Sequence, residues 1–204
     1  PATLFDGLTI VVSPRIALMQ SQVAQLKLLG IKAYCLNSSN SDAENKETME
    51  MLESNEIKLL YVAPERLIKN ETIDLLKTKK ISLLAIDEAH CVSQWGHDFR
   101  KEYLKLGEIR KELSMVQTIA LTATADETTR RDIIDKIFPK KPSIFIAGFD
   151  RPNIYLSMLP KNKAKEQILS FIKPLKGQTG IIYCSTRKKT EEWSKYLKDH
   201  SFNA

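Results

Sequence analysis

Short β-branched or aliphatic runs alternate with longer amphipathic stretches along most of this chain, and no other feature constrains its fold as tightly. The runs are Thr9-Ile10-Val11-Val12, Ala33-Tyr34-Cys35-Leu36, Lys58 to Val62, Ile81 to Ile86, Thr118 to Leu121 and Ser143 to Ala147. Each has the length and residue types of a buried strand. Between the first two, Ile16, Met19, Val23, Leu26 and Leu29 recur at helical spacing, and Gly30 stands where a helix would stop. Similar helical patterns occupy about 41–54, 103–113 and 127–137. Strands alternating with helices predict an α/β fold, a parallel sheet covered by helices on both faces, with ligands beyond the carboxyl ends of the strands. Functional residues are therefore expected just after the strands.

The chain's 204 residues suit one domain plus part of a second. Pro139-Lys140-Lys141-Pro142 reads as a turn before the last run, and Phe149-Asp150-Arg151-Pro152-Asn153 as a boundary where proline fixes an extended chain. This places an incomplete first domain at 1–147, a linker at 148–160 and the beginning of a second domain at 161–204. The last part is expected to hold a helix ending near Lys173, a strand over Gly180 to Cys184 and a helix from about Thr186. The Pro1-Ala2-Thr3-Leu4 start reads as a cut end.

No apolar run is long enough to cross a bilayer, which argues against a membrane protein. Cys35, Cys91 and Cys184 stand far apart and form no CxxC pair, so neither a disulfide framework nor a zinc site is expected. With no secretory leader pattern, an intracellular, reducing compartment is the expectation. The net charge of +6 comes wholly from 155–204, where 10 basic residues face 4 acidic ones, whereas 1–154 carry 21 of each. That excess reads either as a solvated lysine-rich surface or as a nucleic-acid signal, and in the first part any nucleic-acid contact must come from particular loops.

Leu83-Leu84-Ala85-Ile86 delivers Asp87 and Glu88 together at a strand end. A nucleotide-hydrolysing α/β sheet needs two acids there, one to hold Mg²⁺ and one to polarise the attacking water. Asp87 suits the first role and Glu88 the second; the plainer alternative is a charged strand exit that caps a helix. Beyond them, Trp95, His97 and Phe99 offer flat faces for bases, and Arg100 a fork for phosphate, unless the rings pack the loop onto the core.

Asp87-Glu88-Ala89-His90 matches the Walker B motif of superfamily 2 helicases, and Cys91 to Arg100 resembles the aromatic-rich loop peculiar to RecQ helicases. Leu121-Thr122-Ala123-Thr124-Ala125 resembles motif III, Val11-Val12-Ser13-Pro14 motif Ia, and Ala63-Pro64-Glu65-Arg66-Leu67 motif Ib. Phe149 to Ile154 is similar to the family's crossing between its motor domains, and Ile181 to Arg187 to motif IV. These matches run in the family's order along essentially the whole chain. The resemblance implies a RecA-like parallel sheet, ATP and Mg²⁺ as ligands and DNA as partner. It also implies a 3′ to 5′ DNA-unwinding activity in repair and recombination. In these terms Asp87, Glu88 and His90 are catalytic, with Asp87 the Mg²⁺ ligand. Thr122 and Thr124 join the nucleotide site and bridge to His90. Ser13, Pro14, Arg66, Gln94, Trp95, His97, Phe99 and Arg100 face DNA, the loop around Trp95 coupling DNA binding to hydrolysis. Arg66 can instead form a structural ion pair. Arg15 departs from the family's usual aliphatic residue, and is either an added phosphate contact or a neutral surface change.

No GxxxxGK[ST] phosphate loop occurs in the 204 residues, and in the family that loop lies shortly before the point where this chain starts. The expectation is therefore a truncated motor piece that does not hydrolyse ATP efficiently alone. A non-catalytic single-stranded-DNA-binding remnant and an RNA helicase of the same superfamily stand as alternatives.

Overall fold

A computed structural model describes residues 2–95, 98–113, 116–148 and 152–204. The chain divides into two compact units, Pro1–Phe145 and Ile146–Ala204.

The first unit is built on five strands, β1 (Leu8–Val12), β2 (Ala33–Leu36), β3 (Leu59–Val62), β4 (Ile81–Ile86) and β5 (Thr118–Ala120), all parallel in the order β2-β3-β1-β4-β5. Among the described residues of the two units are eight α-helices: α1 (Ile16–Leu28), α2 (Asp42–Glu53), α3 (Pro64–Leu67), α4 (Asn70–Lys77), α5 (Leu106–Glu112), α6 (Glu127–Ile137), α7 (Ala164–Ile172) and α8 (Arg187–Asp199). Gly30 ends α1 as expected: at φ +74 it lets its own N–H reach Lys27 and that of Ile31 reach Leu26, closing the last turn. The short α3 and α4 fall in a stretch where the apolar pattern predicts no helix; Pro64 at the first turn starts the former.

Alternation along the strands sends side chains to opposite faces. Ile10, Val12, Leu60, Val62, Leu84 and Ile86 pack on one face against Leu52, Leu67, Leu76, Leu106 and Ile137 from the helices, making the larger core. On the other face Met19 and Val23 of α1 cover Ala33, Leu59, Tyr61 and Val11. Coverage of both faces is only partly realised, since Ile119 on β5 is 43% exposed.

Two expected strands are absent. Residues 143–147 have no regular secondary structure and pair with no strand among the described residues, and Phe145 is 92% exposed. Residues 180–184 behave likewise, with Tyr183 91% exposed. A β-branched or aromatic run becomes a strand only where a neighbour takes up its backbone N–H and C=O groups. In the second unit α7 and α8 form as expected, α8 capped by the Thr186 hydroxyl, which accepts from the Lys189 N–H.

Candidate active site

Register decides where the candidate residues meet. Val62 pairs with Val12, Val12 with Ile86, and Ile86 with Ala120, so four strands end side by side. Just past those ends stand Ser13, Arg66, Asp87, Glu88, Thr122 and Thr124.

Asp87 is held on every side. Its N–H donates to the Val12 carbonyl at 2.9 Å, and its own carbonyl accepts from the Tyr103 hydroxyl at 2.9 Å. One carboxylate oxygen accepts from the Ser13 hydroxyl at 3.0 Å and the other from the Glu88 N–H at 2.9 Å. Tyr103 is fully buried, and burial pushes its hydroxyl far above the usual tyrosine range, so it keeps the proton that it donates to Asp87. Nothing in the sequence around Tyr103 signals this contact, because Tyr103 lies 16 positions beyond Asp87, within a short 3₁₀ segment (Lys101–Lys105).

Glu88 adopts the left-handed conformation, φ 48 and ψ 45. Its neighbours impose that backbone: Asp87 is tied to β1, and the Ala89 N–H donates to the Leu121 carbonyl at 2.8 Å. The plainer reading of a capping acid fails, since no side chain caps the 3₁₀ turn Ala89–Val92 that follows. Instead Glu88 Oε1 lies 3.0 Å from Arg15 Nη2 and Oε2 lies 3.4 Å from His90 Nδ1. His90, 2% exposed, also has Nδ1 at 2.9 Å from the Thr122 hydroxyl and 3.4 Å from that of Thr124. Thr122 and Thr124 are exposed and therefore open to a ligand.

Past His90 the loop turns outward. Cys91, Val92 and Ser93 are buried, Gln94 is exposed and Trp95 is 80% exposed, while Phe99 is half-buried. His97 lies outside the described residues, as do Phe149, Asp150 and Arg151 of the expected domain crossing. The loop's base is anchored by the Ser93 hydroxyl, which donates to Asp132 of α6 at 2.7 Å and accepts from the Trp95 N–H at 3.2 Å. Lys136 adds a 3.1 Å ion pair, and the Ser93 hydroxyl together with this ammonium holds the Asp132 carboxyl below its ordinary range. At the far end Arg100 donates to the Pro14 carbonyl at 3.5 Å and lies 3.6 Å from Asp98 and 3.9 Å from Glu65. The aromatic loop is thus tied to the β1–α1 turn.

Ser13 is 1% exposed and its hydroxyl donates to Asp87 at 3.0 Å, because parallel pairing of β1 with β4 sets the two strand ends together; Pro14 is buried beside it. Arg66 lies 3.8 Å from Glu71, with its side chain 20% exposed.

His90, Cys91 and Asp98 also bring ligand-type atoms within 4.8 Å of one another, a juxtaposition invisible in the sequence. Burial pushes the Cys91 thiol up to about 11, and a thiol that keeps its proton is a poor metal ligand. The Asp87 carboxylate and the Ser13 hydroxyl, 3.0 Å apart, form a different pair, of hard oxygen atoms at the strand ends.

Comparison with known proteins agrees with this geometry. Residues 3–133 match the DEAD/DEAH box helicase family. The whole chain is 45% identical to an ATP-dependent DNA helicase RecQ of Pasteurella multocida and 38% identical to that of Bacillus subtilis. It is 37% identical to the ATP-dependent DNA helicase Q-like 2 of Arabidopsis thaliana. It spans about a third of these relatives' length, 32%, 35% and 31% respectively. Among solved structures, the DUF1998 helicase MrfA shares the fold over 95% of this chain and 31% of its own, with a TM-score of 0.63 at 15% identity. By its matched residues and its full-length similarity, the chain belongs to the DEAD/DEAH box helicase family and is a RecQ-like member of it.

Proposed function

We propose that this chain supplies the Walker B half of the hydrolytic centre, and part of the DNA-contacting surface, of an ATP-dependent 3′ to 5′ DNA-unwinding motor of repair and recombination. One observation carries the reading: Asp87 and Glu88 stand together at the end of β4, and Glu88 lies 3.4 Å from His90, whose ring meets the Thr122 hydroxyl of motif III at 2.9 Å.

In this reading Asp87, with the Ser13 hydroxyl beside it, holds Mg²⁺, which would neutralise charge on the transferred phosphoryl group. Glu88 accepts a proton from water as its oxygen attacks the γ-phosphorus and the bond to the ADP oxygen breaks. His90 and the Thr122 and Thr124 hydroxyls fix the Glu88 carboxylate and relay strand-end movement to it. Gln94, Trp95, Phe99 and Arg100, with His97, receive single-stranded DNA by stacking and phosphate contact. At the β1–α1 turn, where Ser13 and Pro14 are buried, backbone amides and Arg15 take the phosphate contact, and Arg66 contributes if it leaves Glu71. Residues 161–204 begin the second motor domain, joined through 148–160.

Glu88→Gln in the complete gene product tests the centre. Turnover is expected to fall by roughly 100-fold or more, the scale of losing one general base, with single-stranded-DNA affinity kept. DNA-stimulated turnover at the original rate refutes the assignment.

A further inference from the structure

Arg15 stands at the first position before α1 in extended backbone, and its side chain is 58% exposed. From there its guanidinium reaches across to Glu88 at 3.0 Å, while the Glu88 side chain itself is only 19% exposed. The contact joins the β1–α1 turn to the acid at the end of β4. Ser13, two residues earlier, holds Asp87 at 3.0 Å, and Arg100 holds the intervening Pro14 carbonyl at 3.5 Å. One three-residue turn therefore touches both acids and the base of the aromatic loop.

Each end of the Arg15–Glu88 contact has a consequence. A carboxylate oxygen facing a guanidinium is less available to an attacking water than a free one, because its lone pairs are engaged by the N–H donors. A guanidinium that is more than half exposed keeps donors for a second partner, and its planar fork suits a phosphate at least as well as a carboxylate. An ion pair so exposed to solvent is weak enough to exchange partners.

We propose that Arg15 is a positioning residue that restrains Glu88 until a nucleic-acid phosphate arriving at the β1–α1 turn draws its guanidinium away. The restraint makes hydrolysis depend on occupancy of the DNA track through a path separate from the aromatic loop. It rests on the reading of Glu88 as the group that accepts the water proton.

The test compares Arg15→Ala, Arg15→Lys and Glu88→Gln in the complete gene product, with ATP turnover measured without DNA and at saturating single-stranded DNA. Arg15→Ala is expected to raise DNA-free turnover roughly two- to five-fold, the range set by loss of one half-exposed ion pair, and to change DNA-saturated turnover little. The ratio of stimulated to unstimulated rates then falls by the same factor, a change that simple loss of stability does not produce. Arg15→Lys, which keeps the charge without the fork, is expected to lie between the two. DNA-free turnover that is unchanged or lower in both Arg15 variants, while Glu88→Gln is inactive, overturns the restraint and leaves the Glu88 assignment standing. Full turnover in Glu88→Gln overturns the reading beneath it. Because the Arg15 side chain is more than half exposed, both of its variants are expected to fold.

Discussion

Glu88 is one of four non-glycine residues with positive φ among those described, and the two residues flanking it are hydrogen-bonded to Val12 at the end of β1 and to Leu121 just past β5. A strained backbone held in this way aims the carboxylate back toward the turn after β1 and toward His90, where a relaxed strand exit would send it into solvent. The residues around it divide the work by burial. Tyr103 and His90 are fixed inside, and Trp95, at 80% exposure, is left outside with its ring uncovered. Trp95→Ala should therefore leave stability within about 0.5 kcal/mol of the parent chain, as surface changes do. Removal of one stacking platform should weaken single-stranded-DNA binding by roughly 1–3 kcal/mol, and with it the stimulation of ATP turnover. Fluorescence anisotropy titration beside a thermal melt separates the two; a lowered melting temperature with unchanged DNA affinity would make Trp95 a packing residue.

At the scale of elements, the position of α6 matters because it anchors the aromatic loop through Asp132, Lys136 and Ser93. What places α6 is its contact with α5 at Gly107, where a Cβ would sit 2.1 Å from the Lys136 carbonyl oxygen. That oxygen belongs to the backbone and cannot swing aside. Gly107→Ala would gain helix propensity of about 1 kcal/mol, yet the collision forces α5 and α6 apart. The net expectation is a loss of roughly 1–3 kcal/mol, read as a lower urea midpoint with the slope unchanged. A rise in the midpoint would show that the helices can separate at no cost. Elsewhere the elements are set locally: Ser41 and Glu44 form a reciprocal cap at the start of α2, and Asp126 caps α6 by accepting from the Thr129 N–H at 2.8 Å.

Across the whole molecule, the core is concentrated in one unit. Both hydrophobic clusters lie within Pro1–Phe145, whereas in Ile146–Ala204 Leu197 is the only buried residue among those described. Local opening free energy follows buried apolar contact. In the 204-residue chain, amides of β1, β3 and β4 should be the slowest to exchange with deuterium. Those of 152–185 should exchange within the shortest labelling time, apart from partial protection in α7. Uniform protection across both units in a hydrogen-exchange mass spectrum would contradict this division.

Much was legible from residue order alone because it is local. Two-residue alternation, helical spacing and end signals at Gly30, Ser41 and Asp126 are short-range consequences of backbone geometry, so five strands and most helices are readable without a partner in view. The order of motifs likewise identified the family, and their place after the strands followed from the rule for parallel sheets. Other properties needed the third dimension. Residues 143–147 and 180–184 have strand composition but no strand beside them, and composition supplies no hydrogen-bond partner. The links from Ser13 to Asp87, Tyr103 to Asp87 and Arg15 to Glu88 join residues between 16 and 74 positions apart in the first two cases, and across the β1–β4 pairing in the last. Residue order determined which acids this edge of the sheet carries. Only the alignment of β1, β4 and β5 decided that a serine, an arginine and a histidine would hold them, because register, not proximity in sequence, sets which strand ends meet.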